Sequence, residues 1–307
     1  MTAQEILTRA KNEGYALGAF NAGDLEIVKG VIQAGVELRS PLIIEASPGE
    51  IKFFGHKNFD CVIENFKKET GLPILTNLDH SLGLEEAQEG IESGFDLIHF
   101  DGSSLPYEEN VKITKMIVEQ AHQKQILVEG EIDKILGESA PHKEEAESVQ
   151  ASGNYTDPEK VADFVSQTGV DILAVFVGNL HGTYPQPPKL DLERLKMIAE
   201  KLSCFLSLHG GSGLLKEDIK QAIAIGKVVK INVNTELRVA YRETLENVLK
   251  GSEEVAIYRI MPPVIAAVQK VVEEKIRLFG SEGKATQNTS EVEPEQKPFH
   301  NTSEVGE

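Results

Sequence analysis

Histidine and aspartate side chains follow three apolar segments of this 307-residue chain. Asp79 and His80 end the segment PILTNLDH, His181 lies near the end of ILAVFVGNLHG, and His209 follows FLSL. Each segment is typical of a buried strand, and strands of one parallel barrel would bring the three imidazoles to one face. Three protein ligands with one open position are typical of catalytic zinc, and Asp79 beside them is a candidate acid or base. Any one of these histidines, taken alone, could equally cap a carbonyl or pack in the core.

The elements that must position these residues alternate between apolar strands and amphipathic helices. Helical stretches such as DLEIVKGVIQAGVEL and LDLERLKMIAEKL separate the strands, which is the pattern of a parallel sheet covered on both faces. Eight such units in about 250 residues predict a single-domain (β/α)8 TIM barrel over residues 1–284. The alternative is a doubly wound open sheet, but GAFNAGD lacks the glycine fingerprint that usually follows its first strand. The predicted strands are 16–22, 41–47, 73–80, 97–103, 126–132, 172–178, 205–211 and 228–234.

Composition narrows the functional class. The net charge of −18 argues against a nucleic-acid partner, because phosphate backbones are bound by Lys and Arg. No apolar run is long enough to span a bilayer, so we expect a cytoplasmic protein without a membrane partner. Cys61 and Cys204 lie in apolar contexts and are predicted to be buried thiols of a reducing compartment. A helix is predicted over 253–279, interrupted by Pro262-Pro263, and the polar, acidic segment 285–307 is predicted to be a disordered tail.

Further carboxylates end strands 4 and 5. Asp101 follows LIHF, and Glu129 and Glu131 share one face of strand 5 because side chains alternate along a strand. Buried carboxylates are costly unless a cation or metal pairs with them, so they are candidates for a second metal position. The alternative is an ion pair with Lys230. The remaining histidines are predicted to be surface or structural residues, with His99 in the core: His56, His99, His122, His142 and His300.

Two glycine- and hydroxyl-bearing loops are candidates for phosphate binding. HGGSG follows strand 7 and NVNTE follows strand 8, where barrels of this type usually hold a phosphate. Backbone N–H groups of adjacent glycines can approach an anion, and Ser212 and Thr235 offer hydroxyl groups. Asn232 ends strand 8 and is predicted to bind a substrate oxygen. A lone Gly-Gly-Ser could also be an ordinary turn.

A long connection separates strands 5 and 6. The segment 133–156 is charged and poor in apolar residues, which predicts a mobile lid over the barrel mouth. A glutamate on a closed lid could move a proton, and the alternative is a solvated loop without a catalytic role. The glutamates of this segment are Glu138, Glu144, Glu145 and Glu147, of which Glu144 and Glu145 are the favoured catalytic candidates.

Over residues 1–285 the chain resembles the class II, zinc-dependent ketose-bisphosphate aldolases, most closely the branch that contains fructose- and tagatose-bisphosphate aldolases. The segments that carry the resemblance are GAFN, LDH, IHFDGS, VEGEI, GNLHGTYP, LHGGSG, KINVNTEL and FGSEGKA. The resemblance implies a (β/α)8 homodimer or homotetramer. It also implies reversible cleavage of a ketose 1,6-bisphosphate, with fructose 1,6-bisphosphate favoured and tagatose 1,6-bisphosphate the alternative. The products would be dihydroxyacetone phosphate and glyceraldehyde 3-phosphate.

The resemblance also assigns roles to particular residues. It places the zinc ligands at His80, His181 and His209, the proton-transferring aspartate at Asp79, and the carboxylates of a second divalent ion at Asp101 and Glu131. Gly182 and Ser212 match parts of a monovalent-cation site, for Na⁺ or K⁺. The predicted substrate contacts are Asn21, Ser47, Gly182, Gly210, Gly211, Ser212, Asn232, Val233, Asn234, Thr235 and Arg259.

The chain departs from the family pattern at three places. Ser81 stands where glycine commonly follows Asp-His, the lid reads GESAPHKEEAES without Gly-Gly or Glu-Asp, and Arg259 only approximately matches the arginine that binds the distal phosphate. Two other functions stay open. A metal-dependent hydrolase usually has His-x-His on strand 1, which GAFNAG lacks. A catalytically silent assembly subunit would fit the altered lid but not the intact ligand set.

Overall fold

Apolar segments pair in parallel with their successors along the chain, and the last segment pairs with the first. Residues 1–285, which the computed structural model describes, thereby form a closed barrel of eight parallel strands. This confirms the predicted TIM barrel and excludes the open sheet. The strands are β1 (Leu17–Asn21), β2 (Leu42–Ala46), β3 (Ile74–Ser81), β4 (Leu97–Asp101), β5 (Leu127–Glu131), β6 (Ile172–Ala174), β7 (Phe205–Leu208) and β8 (Val228–Val233).

Amphipathic helices surround the barrel, with their apolar stripes buried against the strands. None of the helices among the described residues is both long and apolar enough to cross a membrane. The helices are α1 (Ala3–Glu13), α2 (Leu25–Leu38), α3 (Pro48–Phe54), α4 (His56–Thr70), α5 (Leu84–Ser93), α6 (Tyr107–Gln123), α7 (Ala146–Gln150), α8 (Pro158–Thr168), α9 (Leu192–Lys201), α10 (Lys216–Ala224), α11 (Thr235–Gly251), α12 (Ile257–Ile260) and α13 (Pro262–Phe279).

The two ends of the barrel differ in chemistry. Helix α1 begins with a capping box between Thr2 and Glu5 and buries Ile6 and Leu7 against the amino-terminal ends of the strands. These side chains close this end of the barrel with an apolar cluster. Fully burying one Ile or Leu side chain contributes about 1.5–3 kcal/mol to the free energy of unfolding. Polar side chains occupy the opposite half of the interior. They include Glu45, Asn77, Asp79, His99, Glu129, Ser207, His209 and Lys230.

The structure corrects several sequence predictions. Strand β6 covers only Ile172–Ala174 of the predicted 172–178. The helical segment predicted over 253–279 begins only at Ile257, and it is interrupted at the proline pair as predicted: α12 ends at Ile260 and α13 begins at Pro262, because a helix's first turn needs no N–H donor. Cys61 is exposed rather than buried, since the buried stripe of α4 runs through Phe59 and Ile63. Cys204 is partly buried, and burial raises its pKa to about 12. The predicted tail lies outside the described residues except for Ala285.

Candidate active site and metal centre

A bulge in β3 presents Asp79 and His80 to the barrel mouth. The pairing register between β3 and β4 shifts between Leu78 and Ser81. Within the bulge His80 has φ of 54°, a left-handed conformation that is uncommon for a residue with a Cβ atom. Such a conformation persists only where the surroundings hold it, and it is concentrated at functional sites.

The three predicted histidine ligands converge at this point. The ring centroids of His80 and His209 are 4.7 Å apart, those of His80 and His181 are 5.2 Å apart, and those of His181 and His209 are 5.8 Å apart. Burial and the neighbouring His80 lower the pKa of His181 to about 4. Burial also lowers the pKa of His209. Both rings are therefore neutral at physiological pH, the form in which imidazole binds a metal.

Glu129 orients His209. The His209 Nε2 atom lies 2.9 Å from Glu129 Oε1, and the ring carries its proton there. Its Nδ1 atom is buried and, among residues 1–285, has no hydrogen-bond partner. A carboxylate on one imidazole nitrogen and a free lone pair on the other is the usual arrangement of a metal-binding histidine. Within the described residues, the lone pair of His209 Nδ1 thus has no hydrogen-bond donor and is available to a metal ion.

Lys230 neutralises the carboxylates below the histidines. Its Nζ atom lies 2.8 Å from Glu129 and 3.4 Å from Glu45, and all three side chains are fully buried. This confirms the ion-pair alternative for Glu129. Burial opposes ionisation, but Glu129 and Glu45 raise the pKa of Lys230. A lysine held in the charged form is a poor nucleophile, so the site is not arranged for Schiff-base chemistry.

Asp79 is held as a carboxylate between two amides. Asn21 donates to Asp79 Oδ2 at 3.1 Å, and Asn232 donates to Asp79 Oδ1 at 3.2 Å. Burial would raise the pKa of Asp79, but His80, together with other neighbouring cationic and donor groups, lowers it well below its usual range. The group is therefore ionised at neutral pH and can accept a proton from a substrate placed in the cavity.

A second group of potential metal ligands lies beside the first. His80 Nδ1 lies 3.1 Å from Asp101 Oδ2 and 3.9 Å from Glu131 Oε2. Burial would raise the pKa of Asp101, but the hydrogen bond with His80 and the charge of His99 lower it. One ligand atom from each of His80, Asp101 and Glu131 lies within 4.8 Å of the others, as the prediction of a second metal position requires.

His99 lies in the histidine centre, although its position within β4 predicts a core residue. It is fully buried, as predicted. Yet one ligand atom from each of Asp79, His80, His99 and His209 lies within 4.8 Å of the others, a group that does not include His181. Burial lowers the pKa of His99, but Glu129, Asp79 and Glu131 together raise it. Candidate ligands were predicted at the carboxyl ends of strands, and His99 lies two positions before the end of β4.

A cavity of about 500 Å³ opens above these residues. A larger groove of about 620 Å³ lies between α9 and α10, but no histidine lines it, and it is remote from the converging side chains. Most of the predicted site residues line the smaller cavity: Asn21, Ser47, Asp79, His80, Asp101, His181, Gly182, His209, Gly210, Ser212, Asn232, Asn234 and Thr235.

One wall of this cavity has the features of an anion site. Gly210 has φ of +68°, and a Cβ atom there would lie 2.0 Å from the Leu180 carbonyl oxygen, so only glycine fits. Ser212 Oγ accepts the N–H of Glu236 at 3.3 Å, which places this loop at the amino terminus of the 17-residue helix α11. Free N–H groups and the helix dipole favour negative charge at such a position.

Some predicted residues lie apart from the cavity in the described structure. Glu131, Gly211 and Val233 are buried beside it, whereas Glu144 and Glu145 are exposed on the loop. Arg259 is also exposed and pairs with Glu254 at 3.1 Å. Conversely, Lys134 and Arg238 line the cavity without having been predicted. Arg238 could have been found, because it follows Thr235 by three residues and so shares its face of α11.

The segment 133–156 is better anchored than its composition suggested. Ile135 and Ala146 are buried in a small apolar cluster with Phe176 and Leu180. The N–H of His181 donates to the Leu136 carbonyl at 2.8 Å. The prediction that this loop lacks apolar anchors is therefore wrong, because its few apolar residues are the ones that pack. The loop is joined directly to the segment that carries His181.

The donor set of the centre fits a zinc ion. Neutral imidazoles and carboxylates are the ligand types that zinc prefers, and the partnerless His209 Nδ1 atom provides one unused lone pair. The sequence profile described as "Fructose-bisphosphate aldolase class-II" matches residues 1–284. The chain is 35% identical over 284 residues to a D-tagatose-1,6-bisphosphate aldolase subunit, GatY, of Klebsiella oxytoca, which covers 92% of this chain and 98% of that protein.

Solved structures agree with this match. The crystal structure of the YdjI aldolase from Escherichia coli K12 superposes with a TM-score of 0.77 and 31% identity, covering 93% of this chain and 99% of the other. A putative fructose-1,6-bisphosphate aldolase from Coccidioides immitis gives a TM-score of 0.79 and 30% identity, covering 92% and 97%. This barrel, with its histidine centre and candidate anion site, therefore belongs to the class II fructose-bisphosphate aldolase family and is an aldolase-type lyase.

Proposed function

We propose that the protein catalyses zinc-dependent, reversible cleavage of a ketose 1,6-bisphosphate to dihydroxyacetone phosphate and glyceraldehyde 3-phosphate. The observation that carries the proposal is the position of an ionised Asp79, 3.9 Å from His80 of the histidine centre and next to a helix terminus that favours anions. A zinc ion held by His80, His181 and His209 would supply the Lewis acidity that stabilises negative charge on the triose-phosphate half as the C3–C4 bond breaks.

Asp79 acts on the proton of the substrate. In cleavage its carboxylate takes the proton of the C4 hydroxyl, and in synthesis it returns that proton to the aldehyde oxygen. Asn21 and Asn232 hold the carboxylate from both sides, so its oxygens are fixed before the substrate arrives. This preorganisation supports its assignment as the acid-base group.

The anion-binding wall receives the phosphate of the triose half. Ser212 and the backbone of Gly210 and Gly211 lie on one side, and Asn234 and Thr235 lie at the start of α11 on the other. The Oδ1 atom of Asn234 is buried without a hydrogen-bond partner in the described chain, so it is available to a substrate hydroxyl. Asp101 and Glu131 would hold a second divalent ion, and Gly182 and Ser212 would contribute to a Na⁺ or K⁺ site.

The substrate's C4 configuration distinguishes the two candidate sugars. Ser81 is not placed to contact the C4 hydroxyl, because its Oγ atom is buried and donates to the His99 carbonyl at 2.7 Å. The amides of Asn21 and Asn232 flank Asp79 and are the groups placed to do so. Fructose 1,6-bisphosphate is our first candidate, and the relationship to the tagatose-bisphosphate aldolase subunit supports tagatose 1,6-bisphosphate as the second.

A turnover assay tests the function directly. We expect cleavage of both sugars to be measured with zinc and abolished by a chelator, with the higher kcat/KM for fructose 1,6-bisphosphate. The reverse order of kcat/KM would assign the tagatose substrate. Release of inorganic phosphate instead of triose phosphates would indicate a hydrolase. Absence of turnover in the zinc-loaded protein would support the assembly-subunit alternative and contradict the proposal.

The lid glutamates are tested by point variants rather than by deletion. Removing residues 133–156 would disturb His181 through its bond to Leu136, so deletion is expected to weaken zinc binding as well as remove the glutamates. Glu144→Gln and Glu145→Gln keep the packing. We expect one of them to slow proton exchange at the triose-phosphate carbon by about 10²–10⁴-fold, the scale of a lost acid-base group. Zinc content should not change.

Glu147→Gln serves as the control for that experiment. It lies on the same loop and is exposed like the other two glutamates. Wild-type exchange rates in both Glu144→Gln and Glu145→Gln would show that neither is the base, and Glu138→Gln would then be examined. The homodimeric or homotetrameric state and the cytoplasmic location remain predictions.

A further inference from the structure

We propose that His99 is a positioning residue that holds the Asp79-His80 bulge in its metal-binding conformation. The inference rests on the proposed zinc site but assigns no ligand role to His99. The two nitrogens of the His99 imidazole contact different groups. The Nδ1 side faces the N–H of His80 and, at 3.5 Å, Asp79 Oδ1, and the Nε2 side faces Glu131.

The bulge leaves a backbone group that the strand ladder cannot satisfy. Leu78 pairs with Ile98 and Ser81 pairs with Phe100, so two residues of β3 stand opposite His99 alone. In a regular ladder every inward N–H finds a carbonyl on the next strand, whereas the extra residue of a bulge is left unpaired. A buried N–H without an acceptor is costly, so the bulge needs a substitute acceptor.

The His99 side chain is that acceptor. The N–H of His80 donates to His99 Nδ1 at 3.2 Å, and the His99 side chain is fully buried. On the other side of the bulge, Ser81 Oγ donates to the His99 carbonyl at 2.7 Å. One residue of β4 therefore holds both sides of the bulge. These two bonds enclose the residue whose φ is 54°, a conformation that would otherwise relax.

The Nε2 side of the ring is held less tightly. The bond from His80 is made by the neutral His99 ring, which carries its proton at Nε2, 3.3 Å from Glu131 Oε2. Burial disfavours the charged ring, but the neighbouring carboxylates raise the pKa of His99 and so favour the doubly protonated ring, in which Nδ1 cannot accept this bond. Neither Nε2 nor Glu131 Oε2 has a hydrogen bond of good geometry within residues 1–285. The Nδ1 lone pair is already engaged by His80, so this nitrogen is not a free metal ligand. The geometry therefore assigns the positioning effect to the Nδ1 side.

Two substitutions separate the two sides of the ring. In His99→Asn the amide oxygen can occupy the position of Nδ1 and accept the His80 N–H. In His99→Gln the amide reaches the position of Nε2 and leaves the His80 N–H without an acceptor. Measured by competition with a chromophoric chelator, zinc affinity should stay within about 3-fold of wild type in His99→Asn. It should fall by about 10–100-fold in His99→Gln, as when other groups that orient metal ligands are removed.

Ile98→Val is the matched control for packing, because it shortens a buried neighbour on the same strand whose side chain packs beside Gly90 of α5. It should lower the unfolding temperature and leave zinc affinity unchanged. Crystal structures of the metal-free variants supply a second measurement. The φ angle of His80 should stay near 54° in His99→Asn and change in His99→Gln.

Equal zinc affinities for His99→Asn and His99→Gln would overturn the proposal, as would a wild-type bulge in metal-free His99→Gln. Failure of both variants to fold, with Ile98→Val folded, would show that His99 is a packing residue and would also overturn it. Failure of the proposed function is seen separately, as wild-type protein without zinc-dependent turnover. In that event the metal-free structures still decide the role of His99.

Discussion

Replacing His80, His181 or His209 with alanine is expected to abolish aldol cleavage and to remove most of the bound zinc. Each variant leaves two of the three imidazole ligands, and a three-ligand catalytic site that loses one ligand no longer holds its metal in an open tetrahedral geometry. The loss should be most complete for His209, because Glu129 orients it and its Nδ1 atom has no other partner within the described chain. Elemental analysis of the purified variants measures the metal directly.

His122→Ala is the control for these variants. His122 also contacts a carboxylate, with its Nε2 atom 2.9 Å from Asp171, but it lies on α6 outside the cavity. It should retain full zinc and full activity. One zinc ion per chain in all three alanine variants would contradict the assignment of the ligands. Loss of zinc only in the His80 and His209 variants would show that His181, which the tight ligand group excludes, is not required for metal binding.

The barrel could be predicted because the same strand–helix pattern repeats eight times along the sequence. Eight apolar strands alternate with amphipathic helices, and each unit gives the same period and the same burial. Residues at strand ends were predictable for the same reason, since parallel strands of one barrel bring their carboxyl ends to one face. The positions of His209 and Asn232 at the barrel mouth therefore followed from the order of the strands alone. Strand β6 was overestimated because the apolar residues after Ala174 are buried without strand pairing, Phe176 in the loop cluster and Val175 and Val177 in the main core.

Features that depend on local backbone irregularity could not be predicted in this way. The bulge in β3 shifts the register of Asp79 and His80, and it brings the interior residue His99 into contact with both. A prediction from the regular alternation of side chains along a strand does not include such a shift. The loop 133–156 was misjudged for a different reason. Its average composition is polar, but Ile135 and Ala146 are individually buried, and individual burial depends on tertiary contacts.

Replacing Asp79 with alanine is expected to lower kcat for cleavage by about 10²–10⁴-fold, the contribution of a positioned acid-base group. The zinc content should remain that of wild type, because Asp79 contacts His80 only at 3.9 Å. Proton exchange on dihydroxyacetone phosphate should be affected much less, since that step removes a proton from carbon and belongs to another group. The two assays on the same preparation therefore separate the C4 hydroxyl step from the carbon-acid step.

Asp79→Asn distinguishes the charge of the side chain from its volume. The amide fills the same space but cannot take a proton, so cleavage should be as slow as in Asp79→Ala. Its NH₂ group would also face one of the amides of Asn21 and Asn232, which now donate to the carboxylate. Equal losses of cleavage and of proton exchange in either variant would mean that Asp79 acts by orienting His80.

Because ionised Asp79 has a pKa well below its usual range, wild-type cleavage should not lose this base on mild acidification. A fall in activity near pH 6 would therefore have to come from a group other than Asp79.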